Sequence, residues 1–387
     1  MNEKTKTVLL LDVGSDAVSG AIVLLSPGKP NILYKTERAV IHPDKARANR
    51  LLSQTIDSVS TVLLELAGRN DLFPRSSPLS SFVNEVLIFL SAPWTVSQTE
   101  SLHLSSQEPV LVTEEILRKL HEEAARERTV PAGMKLIEQK LMRAELNGYP
   151  TQEPYGKLAG DISFSLFSGY AAEHALQKMT DAVERSVHPK RVTFHSFSFS
   201  AFAALRDGMQ ERQDFLLLHL GGEQTEVSIV RQGILLESRS FPFGRKHFLR
   251  LVRHETKMPA SVAETLLTLH AESKSEGRFY GQMKKELHTA QEEWLRHFTE
   301  SLQSLAEGAF LPRTIFLIAD SSVAPVLEKT VQGGDFSTFT VVSGSFEVLL
   351  LGAETFGPLL GGNPLSLGDP SINLESLFAG EIRASLA

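Results

Sequence analysis

The sequence predicts an α/β protein with two lobes and an α+β subdomain inserted into the first lobe. Three short runs rich in Leu, Ile, Val and Phe are typical of strands buried on both faces. They are TVLLLDVG, FLLLHLGG and TIFLIADSS, beginning at Thr7, Phe215 and Thr314. The first two pass through a tight glycine-containing turn into a second apolar strand. This pattern occurs once near the start and once past the middle, which favours two halves of similar layout and is consistent with an internal duplication.

The composition is that of a globular protein. A length of 387 residues suits two lobes, and a hydrophobic content of 42% is enough for substantial cores. The net charge of -7, without a long Lys/Arg run, argues against nucleic-acid binding. The absence of cysteine excludes disulfides, thiolate metal sites and cysteine nucleophiles. No run approaches the roughly 18 apolar residues that span a bilayer, so we expect a soluble, cytoplasmic protein without a transmembrane segment.

The first half of the chain carries a helix signal, a boundary signal and the candidate insertion. KARANRLLSQTIDSVSTVLLELAG has apolar residues along one face and ends at Gly68. Pro and Ser clusters predict a loop or boundary over 70–82. Residues 83–187 read as strand, strand, helix, strand, strand, helix, and Thr113 caps the first of these helices. This order predicts a compact α+β insertion.

The second half is helix-rich after its hairpin, from about residue 246 to 308. Its clearest amphipathic helix places five apolar residues on one face: Leu287, Trp294, Phe298, Leu302 and Leu305. The tail from residue 358 is rich in Gly, Pro and Ser. The expected division is therefore a first lobe over 1–82, an insertion over 83–187, a return to the first lobe over 188–213, a second lobe over 214–357, and a flexible or docking tail over 358–387.

The order of these signals resembles the bacterial actin-like ATPases of the FtsA and PilM type. LLDVGSDAVSGAIV is similar to the first phosphate-binding hairpin of that family, HLGGEQTEVSIV to the second, and IFLIADSSVAPVLEKTV to the adenosine-side strand, turn and helix. The resemblance covers roughly residues 8–357. It implies a two-lobed actin-like, ribonuclease H-like ATPase fold with the nucleotide between the lobes.

The resemblance implies ATP with Mg²⁺ as the ligand and six residues as its site. Small residues in the two turns let backbone N–H groups approach phosphate oxygens, a hydroxyl adds a donor, and a carboxylate holds the metal ion directly or through water. The site residues are Asp12 (also the metal ligand), Gly14, Ser15, Gly221, Gly222 and Thr225.

Four departures from the family pattern surround this site. His219 stands where a second carboxylate is expected, and neutral imidazole is a poor ligand for Mg²⁺. Ala17 stands where many members have Lys or another polar residue, and Leu267 where a Lys commonly contacts the nucleoside. ADSS, at 319–322, replaces a glycine-rich turn. We therefore expect ATP hydrolysis to be weak or lost, name no catalytic residue, and leave nucleotide binding itself open.

Two functions follow from the resemblance. The first is a cytoplasmic scaffold that organises membrane-associated proteins of cell division or type IV pilus assembly, with the insertion, including its NGYPTQEPYGK loop, meeting partners or further copies of the chain. The alternative is an active ATPase or phosphotransferase of the actin and sugar-kinase superfamily. That enzyme needs a general base near the cleft. Glu226 is a weak candidate, because alternation places it and Thr225 on opposite faces of their strand.

The C-terminal tail bears on how such a scaffold reaches a membrane. In the segment SINLESLFAGEIRASLA, Arg383 is the only basic residue, against Glu375 and Glu381. Helices that lie on anionic membranes are typically rich in Lys and Arg. We therefore expect this segment to dock on protein, and the chain to be peripheral at the inner face of the membrane through a partner.

Overall fold

The computed structural model shows two related sheets with helices between and around them. The structure describes residues 5–26, 29–40, 48–72, 83–127, 133–208, 212–271, 280–306, 308–341, 345–360 and 369–386. The expected loop over 70–82 therefore lies largely outside the described residues, as does the part of the tail over 361–368.

Strands and helices are numbered in chain order. The strands are β1 (Lys6–Val13), β2 (Ala17–Leu25), β3 (Asn31–Ala39), β4 (Val83–Leu90), β5 (Thr95–Leu111), β6 (Met134–Leu146), β7 (Tyr149–Thr151), β8 (Leu158–Ala172), β9 (Arg191–Ser196), β10 (Phe215–Leu220), β11 (Thr225–Arg231), β12 (Ile234–Phe241), β13 (Thr314–Ala319) and β14 (Glu347–Leu350). The helices are α1 (Ala48–Ala67), α2 (Glu114–Glu127), α3 (Glu173–Val187), α4 (Phe197–Gly208), α5 (Arg245–Thr256), α6 (Ala260–Ala271), α7 (Tyr280–Ala306), α8 (Ala324–Gln332), α9 (Ala353–Phe356) and α10 (Pro370–Leu386).

The two sheets repeat one strand order. The first sheet runs β3-β2-β1-β4-β9, with β1 antiparallel to β2 and parallel to β4. In the second sheet, β12-β11-β10-β13-β14 has the same order, with β10 antiparallel to β11 and parallel to β13. The predicted two-lobed α/β fold is confirmed, and its two glycine hairpins occupy equivalent places in the two halves.

The central strand of each sheet is buried on both faces because it serves two cores. Successive side chains of a strand point to opposite faces. In β1, Val8 and Leu10 face a middle core that α4 and α10 share with the second sheet, whereas Leu9 and Leu11 face an outer core beneath α1 and α3. Strand β10 follows the same rule, with Phe215 and Leu217 towards the middle core and Leu216 and Leu218 towards the outer core under α5 and α7. Burial on both faces explains why residues 8–11 and 215–218 are apolar without interruption.

Gly20 shows how closely α1 approaches the first sheet. A Cβ atom at this position would lie 2.4 Å from Val62 Cγ1 and 2.8 Å from Leu66 Cδ1. Val59, Val62, Leu63 and Leu66 are all fully buried. The glycine in β2 therefore makes room for the apolar face of the helix.

The insertion is shorter than the sequence indicated. Strand β4 pairs with β1 and β9 inside the first sheet, and α3 packs against α1 with Met179 and Val183 fully buried in the outer core. Strands β5, β8, β6 and β7 instead extend the second sheet from the edge of β12. The sequence order alone did not reveal that β4 and α3 pack with the first lobe. The part inserted into the first lobe thus runs from β5 to β8.

The C-terminal segment docks on the protein as α10. Asp369 caps the helix, accepting the N–H groups of Ser371 and Ile372 at 3.1 and 3.2 Å, and Pro370 occupies the first helical position. The helix packs against α4, and Ile372 and Phe378 are buried in the middle core. Among the described residues, no helix combines the length and apolar character required to cross a bilayer.

Candidate functional site

The two glycine hairpins have the same turn geometry. Gly14 N–H donates to Ala17 O at 3.0 Å, and Gly221 N–H donates to Gln224 O at 2.9 Å. Aligning the turns on these two bonds makes Asp12 equivalent to His219, two residues before each glycine. Both side chains follow the alternation towards the middle of the molecule, at the carboxyl ends of β1 and β10.

The tips of the two hairpins touch each other. The backbone N–H of Glu223 donates to Ser15 Oγ at 2.9 Å. A Cβ atom at Gly222 would lie 1.7 Å from Asp16 Cγ, so the side chain of Asp16 rests directly on the second turn. Gly244 approaches the other side of that turn, where a Cβ atom would lie 2.4 Å from the carbonyl carbon of Gly222. The two turns are therefore packed together with no space for a phosphate group between Asp16 and Gly222.

Two cations at the start of α5 hold Asp16 in this position. The N–H groups of Arg245 and Lys246 donate to the carbonyl oxygens of Gly221 and Gly222 at 2.9 and 2.8 Å, fixing the helix on the second turn. From there, the side chain of Arg245 reaches Asp16 Oδ2 at 3.3 Å, and Lys246 Nζ lies 3.9 Å from the same oxygen. Because Arg245 and Lys246 lie in the first turn of α5, the Asp16 carboxylate is also close to the positive end of the dipole of that helix.

A small acidic cavity adjoins the hairpins. Its volume is about 150 Å³, below the roughly 300–1,000 Å³ usual for ligand pockets. Arg245 is the one Lys or Arg side chain in its lining, among the described residues. Five carboxylates line the same cavity: Asp12, Asp16, Glu37, Asp320 and Asp369.

The carboxylates of this cavity disfavour one another's ionisation. Burial raises the pKa of Asp12 well above its ordinary value, and the nearby charges of Asp369, Glu37 and Asp16 raise it further. Burial likewise raises the pKa values of Glu37 and Asp369. Glu375 of α10 adds a fully buried carboxyl whose pKa is raised well above its ordinary value by burial and then by Asp12 and Asp369. An environment that already opposes negative charge also opposes a polyphosphate.

His219 and Glu226 lie opposite each other on β10 and β11. Burial lowers the pKa of His219 to about 4, so the imidazole is neutral near pH 7, and its ring packs 4.3 Å from that of Phe197. Burial raises the pKa of Glu226 to about 7, although hydrogen bonds from Ser198 and from the Ala92 backbone lower it in part. Glu226 thus connects the second sheet with α4 and with the loop after β4.

The structure places the predicted site residues unequally. Asp12, Gly14, Gly221 and Gly222 line the cavity, and Ser15 is engaged with the opposite turn. Thr225 does not line it. Its hydroxyl donates to Phe243 O and accepts the indole N–H of Trp294 at 3.1 Å, inside the second lobe. Alternation turns this side chain into the outer core, so in this structure it does not face the cavity, and a phosphate-binding role for its hydroxyl stays a prediction.

Three of the four departures have an apolar or neutral side chain, and the fourth adds an acid to the cavity. Ala17 and Ala319 line the cavity without offering a polar side chain, and His219 is neutral there. Leu267 is fully buried in the outer core of the second lobe. Asp320, in the ADSS turn, accepts the N–H of Ser322 at 2.9 Å and adds a further acid to the cavity.

The residues present do not fit ATP with Mg²⁺ in this arrangement. The turns are in contact, and the cavity beside them is small and acidic. Within the described ranges, no group of three or more His, Asp or Glu side chains is arranged to hold a metal ion. We therefore derive no phosphoryl-transfer step from this site.

Four important residues of the site were not identified from the sequence. Asp16 lies inside a quoted hairpin motif, and its position beside the glycine turn was a usable signal. Arg245 follows Gly244 at the start of a helix, which hinted at an anion contact. Glu37 and Asp369 reach the cavity only through the folding of β3 and α10, and no local pattern marks them.

These features define the class of the protein: an actin-like α/β fold with two related halves meeting at paired glycine hairpins. The chain is similar to one in the solved structure of a PilM-PilN type IV pilus biogenesis complex, with a TM-score of 0.64, 15% identity, and coverage of 96% of this chain and 98% of that one. The structure therefore has the actin-like ATPase fold of the PilM type.

Other solved structures are less similar. EutJ, an ethanolamine utilization protein from Carboxydothermus hydrogenoformans, has a TM-score of 0.46 at 11% identity, covering 97% of this chain and 91% of that one. MreB 5 of Spiroplasma citri bound to AMPPNP has a TM-score of 0.48 at 12% identity, covering 99% and 98%. Similarities at these scores support no functional conclusion. No family model and no curated protein matches the sequence.

Proposed function

We propose that the chain is an actin-like scaffold that organises membrane-associated proteins, with type IV pilus assembly as the favoured process and with little or no ATP turnover. The observation that carries this proposal is the direct contact of the two hairpin turns through Ser15 and Glu223, beside a cavity of about 150 Å³. A fold that keeps both lobes and closes the space for phosphate between them is suited to binding proteins.

The electrostatics of the cavity support low turnover. Phosphoryl transfer depends mainly on positioning and on charges that stabilise the transferring group. Five carboxylates line this cavity, and burial lowers the pKa of His219 to about 4, so the histidine adds no positive charge near pH 7. The charge environment is thus opposite to the one that phosphoryl transfer requires.

The packing of α10 supports recruitment through a partner. Its apolar residues Ile372, Leu374 and Phe378 are buried against the rest of the protein, so they are not available to enter a lipid surface. A similar fold occurs in a PilM-PilN type IV pilus biogenesis complex, where the protein acts within an assembly. Membrane association of this chain would then follow from a membrane-bound partner.

The far end of the insertion offers a surface for such a partner. Leu111 and Leu158 are directly paired across β5 and β8, and their side chains are 52% and 66% exposed. Tyr149 and Tyr155, both in the NGYPTQEPYGK loop, are also exposed. Exposed apolar side chains grouped in this way are typical of protein contacts.

Two sets of measurements test the proposal, one with ATP and one with vesicles. Calorimetric titration and a phosphate-release assay with ATP, with and without Mg²⁺, should give no micromolar binding and no turnover; micromolar binding with turnover would establish the alternative enzyme. In flotation assays, the protein should bind vesicles only when they carry a membrane protein of type IV pilus assembly. Leu158→Glu should abolish that binding, whereas Leu64→Glu, at an equally exposed leucine on α1, should not.

A further inference from the structure

We propose that Asp16 is an internal anionic ligand that takes the place of a phosphate group and holds the two lobes together without a nucleotide. The proposal rests on the proposed function. It adds a physical cause for the closed arrangement of the lobes in a scaffold that does not depend on ATP. The ligand class of the site is a small anion, and the site is the start of α5 together with the second glycine turn.

The carboxylate of Asp16 crosses from one lobe to the other. Asp16 belongs to the first hairpin, whereas Gly222, Arg245 and Lys246 belong to the second lobe. The side chain of Asp16 is only 11% exposed, and its Oδ2 lies 3.3 Å from a guanidinium nitrogen of Arg245 and 3.9 Å from Lys246 Nζ. Partial burial weakens solvent screening, so this pair contributes more than a fully exposed one.

The shape of the second turn fits this ligand. Any side chain at position 222 would collide with Asp16, because even a Cβ atom would lie 1.7 Å from Asp16 Cγ. Glycine turns and helix starts each receive phosphate oxygens in many proteins, and here the start of α5 packs against the second glycine turn. Here the side chain of Asp16 lies on the turn, and the side chains of Arg245 and Lys246 are its cationic partners.

Arg245 and Lys246 have other partners besides Asp16, and these determine how much is lost when the Asp16 carboxylate is removed. Arg245 also lies 3.7 Å from Glu264, and Lys246 Nζ donates to the carbonyl oxygens of Asp16 and Val40, each at 3.4 Å. Removal of the Asp16 carboxylate would therefore leave both cations near the turn, with part of their partners retained. A small anion from solution could then fill the vacated place.

The pseudo-symmetry of the hairpins provides a matched control. Glu223 stands two residues after Gly221, as Asp16 stands two residues after Gly14. Its carboxylate, however, pairs with Arg250 of its own lobe at 2.8 Å and crosses no interface. Glu223→Ala removes a carboxylate from the equivalent position, and the backbone N–H that bonds Ser15 remains.

Hydrogen exchange and thermal unfolding of the full chain test the proposal. In Asp16→Ala, the amides of residues 221–223 should exchange roughly threefold to tenfold faster than in the wild type, because the lobes separate more often. Millimolar formate or inorganic phosphate should restore both protection and Tm, and chloride at equal ionic strength should not. Wild type and Glu223→Ala should not respond to either anion.

A second variant keeps the test decisive if Asp16→Ala folds poorly. Asp16→Asn keeps the volume and removes the charge, so it should show the faster exchange without rescue by formate. Unchanged exchange in both variants, or equal rescue of the wild type, would overturn the proposal. Rescue by formate without rescue by phosphate would retain the anionic contact and reject its role as a phosphate substitute. The exchange and unfolding measurements use neither ATP nor vesicles. A failure of this proposal is therefore distinguishable from a failure of the proposed scaffold function.

Discussion

Ser15 Oγ accepts a hydrogen bond from the backbone N–H of Glu223 at 2.9 Å, although 208 positions separate the two residues in the sequence. The bond joins the tips of two hairpins that occupy the same place in two related sheets. It is made by a backbone group on one side, so its geometry is determined by the fold of the second turn. The tips of the two hairpins thus form a direct contact between the lobes.

Gly222→Ala is expected to destabilise the protein. The added Cβ would lie 1.7 Å from Asp16 Cγ, and an overpacked contact of this kind costs roughly 1–3 kcal/mol. The free energy of unfolding in urea measures the effect. Gly281→Ala is a suitable control, because nothing lies within 4 Å of its added Cβ and alanine favours the helix α7.

The double variant Asp16→Gly with Gly222→Ala tests the cause of that loss. If the collision with Asp16 is responsible, Gly222→Ala should cost little stability when it is added to Asp16→Gly, so that the two effects are not additive. Additive losses would mean that the alanine acts on the turn backbone instead.

Glu226 is expected to make stability fall as the pH rises from about 4.5 to about 7. Its pKa is about 7 in the folded protein and ordinarily 4.5, so the folded state binds more protons in this window and loses that advantage as the group ionises. The full difference corresponds to about 3 kcal/mol, at 1.36 kcal/mol per pKa unit. Glu226→Gln should remove this component. The unfolding free energy of the variant minus that of the wild type should therefore be larger at pH 8 than at pH 5.

The comparison requires an exposed glutamate as control. Glu292→Gln on α7, whose side chain is 67% exposed, makes the same substitution outside the core. A Glu226→Gln profile parallel to that of the wild type between pH 5 and 8 would contradict the expected titration.

His219 is expected to make stability fall as the pH decreases, which is opposite to the effect of Glu226. Burial lowers its pKa from 6.5 to about 4, so the unfolded state binds more protons between these values and stability is lost as the pH falls through them. The loss amounts to roughly 3 kcal/mol at most. His219→Asn should flatten the acid side of the profile relative to the wild type, measured by urea unfolding from pH 7 to pH 4. A wild-type slope retained in that variant would show that other groups cause the acid loss.

The sequence predicted the repeated hairpins well because their signal is local. An apolar run, a glycine turn and a second apolar strand each depend on neighbouring residues, and Gly14 and Gly221 do lie in equivalent turns. The burial of β1 and β10 on both faces followed from the consecutive apolar residues at 8–11 and 215–218. The overall two-lobed fold was predictable on these grounds.

The remaining features depend on contacts between distant parts of the chain. The pairing of Asp16 with Arg245 and the arrival of Asp369 at the cavity require both lobes and α10 to be in place. Alternation placed Thr225 and Glu226 on opposite faces of β11, but which of the two faces the cavity is not visible in the strand itself. The boundary of the insertion was likewise fixed by the pairing of β4 within the first sheet.

Glu375→Leu is expected to stabilise the protein. Glu375 is fully buried in α10, and neither of its carboxylate oxygens has a hydrogen-bond partner among the described residues. Burying a polar group without a hydrogen bond costs about 1–3 kcal/mol on mutational scales, and leucine of similar size removes that cost. Urea unfolding at pH 7 should therefore show a gain of this order.

Glu375→Gln is the matched comparison, since it removes the ionisable group but keeps a polar amide in the same place. It should flatten the pH dependence that comes from the raised pKa of Glu375, yet gain less stability than leucine. Equal stability of the leucine variant and the wild type at pH 7 would mean that the carboxyl is satisfied in solution by a group such as water.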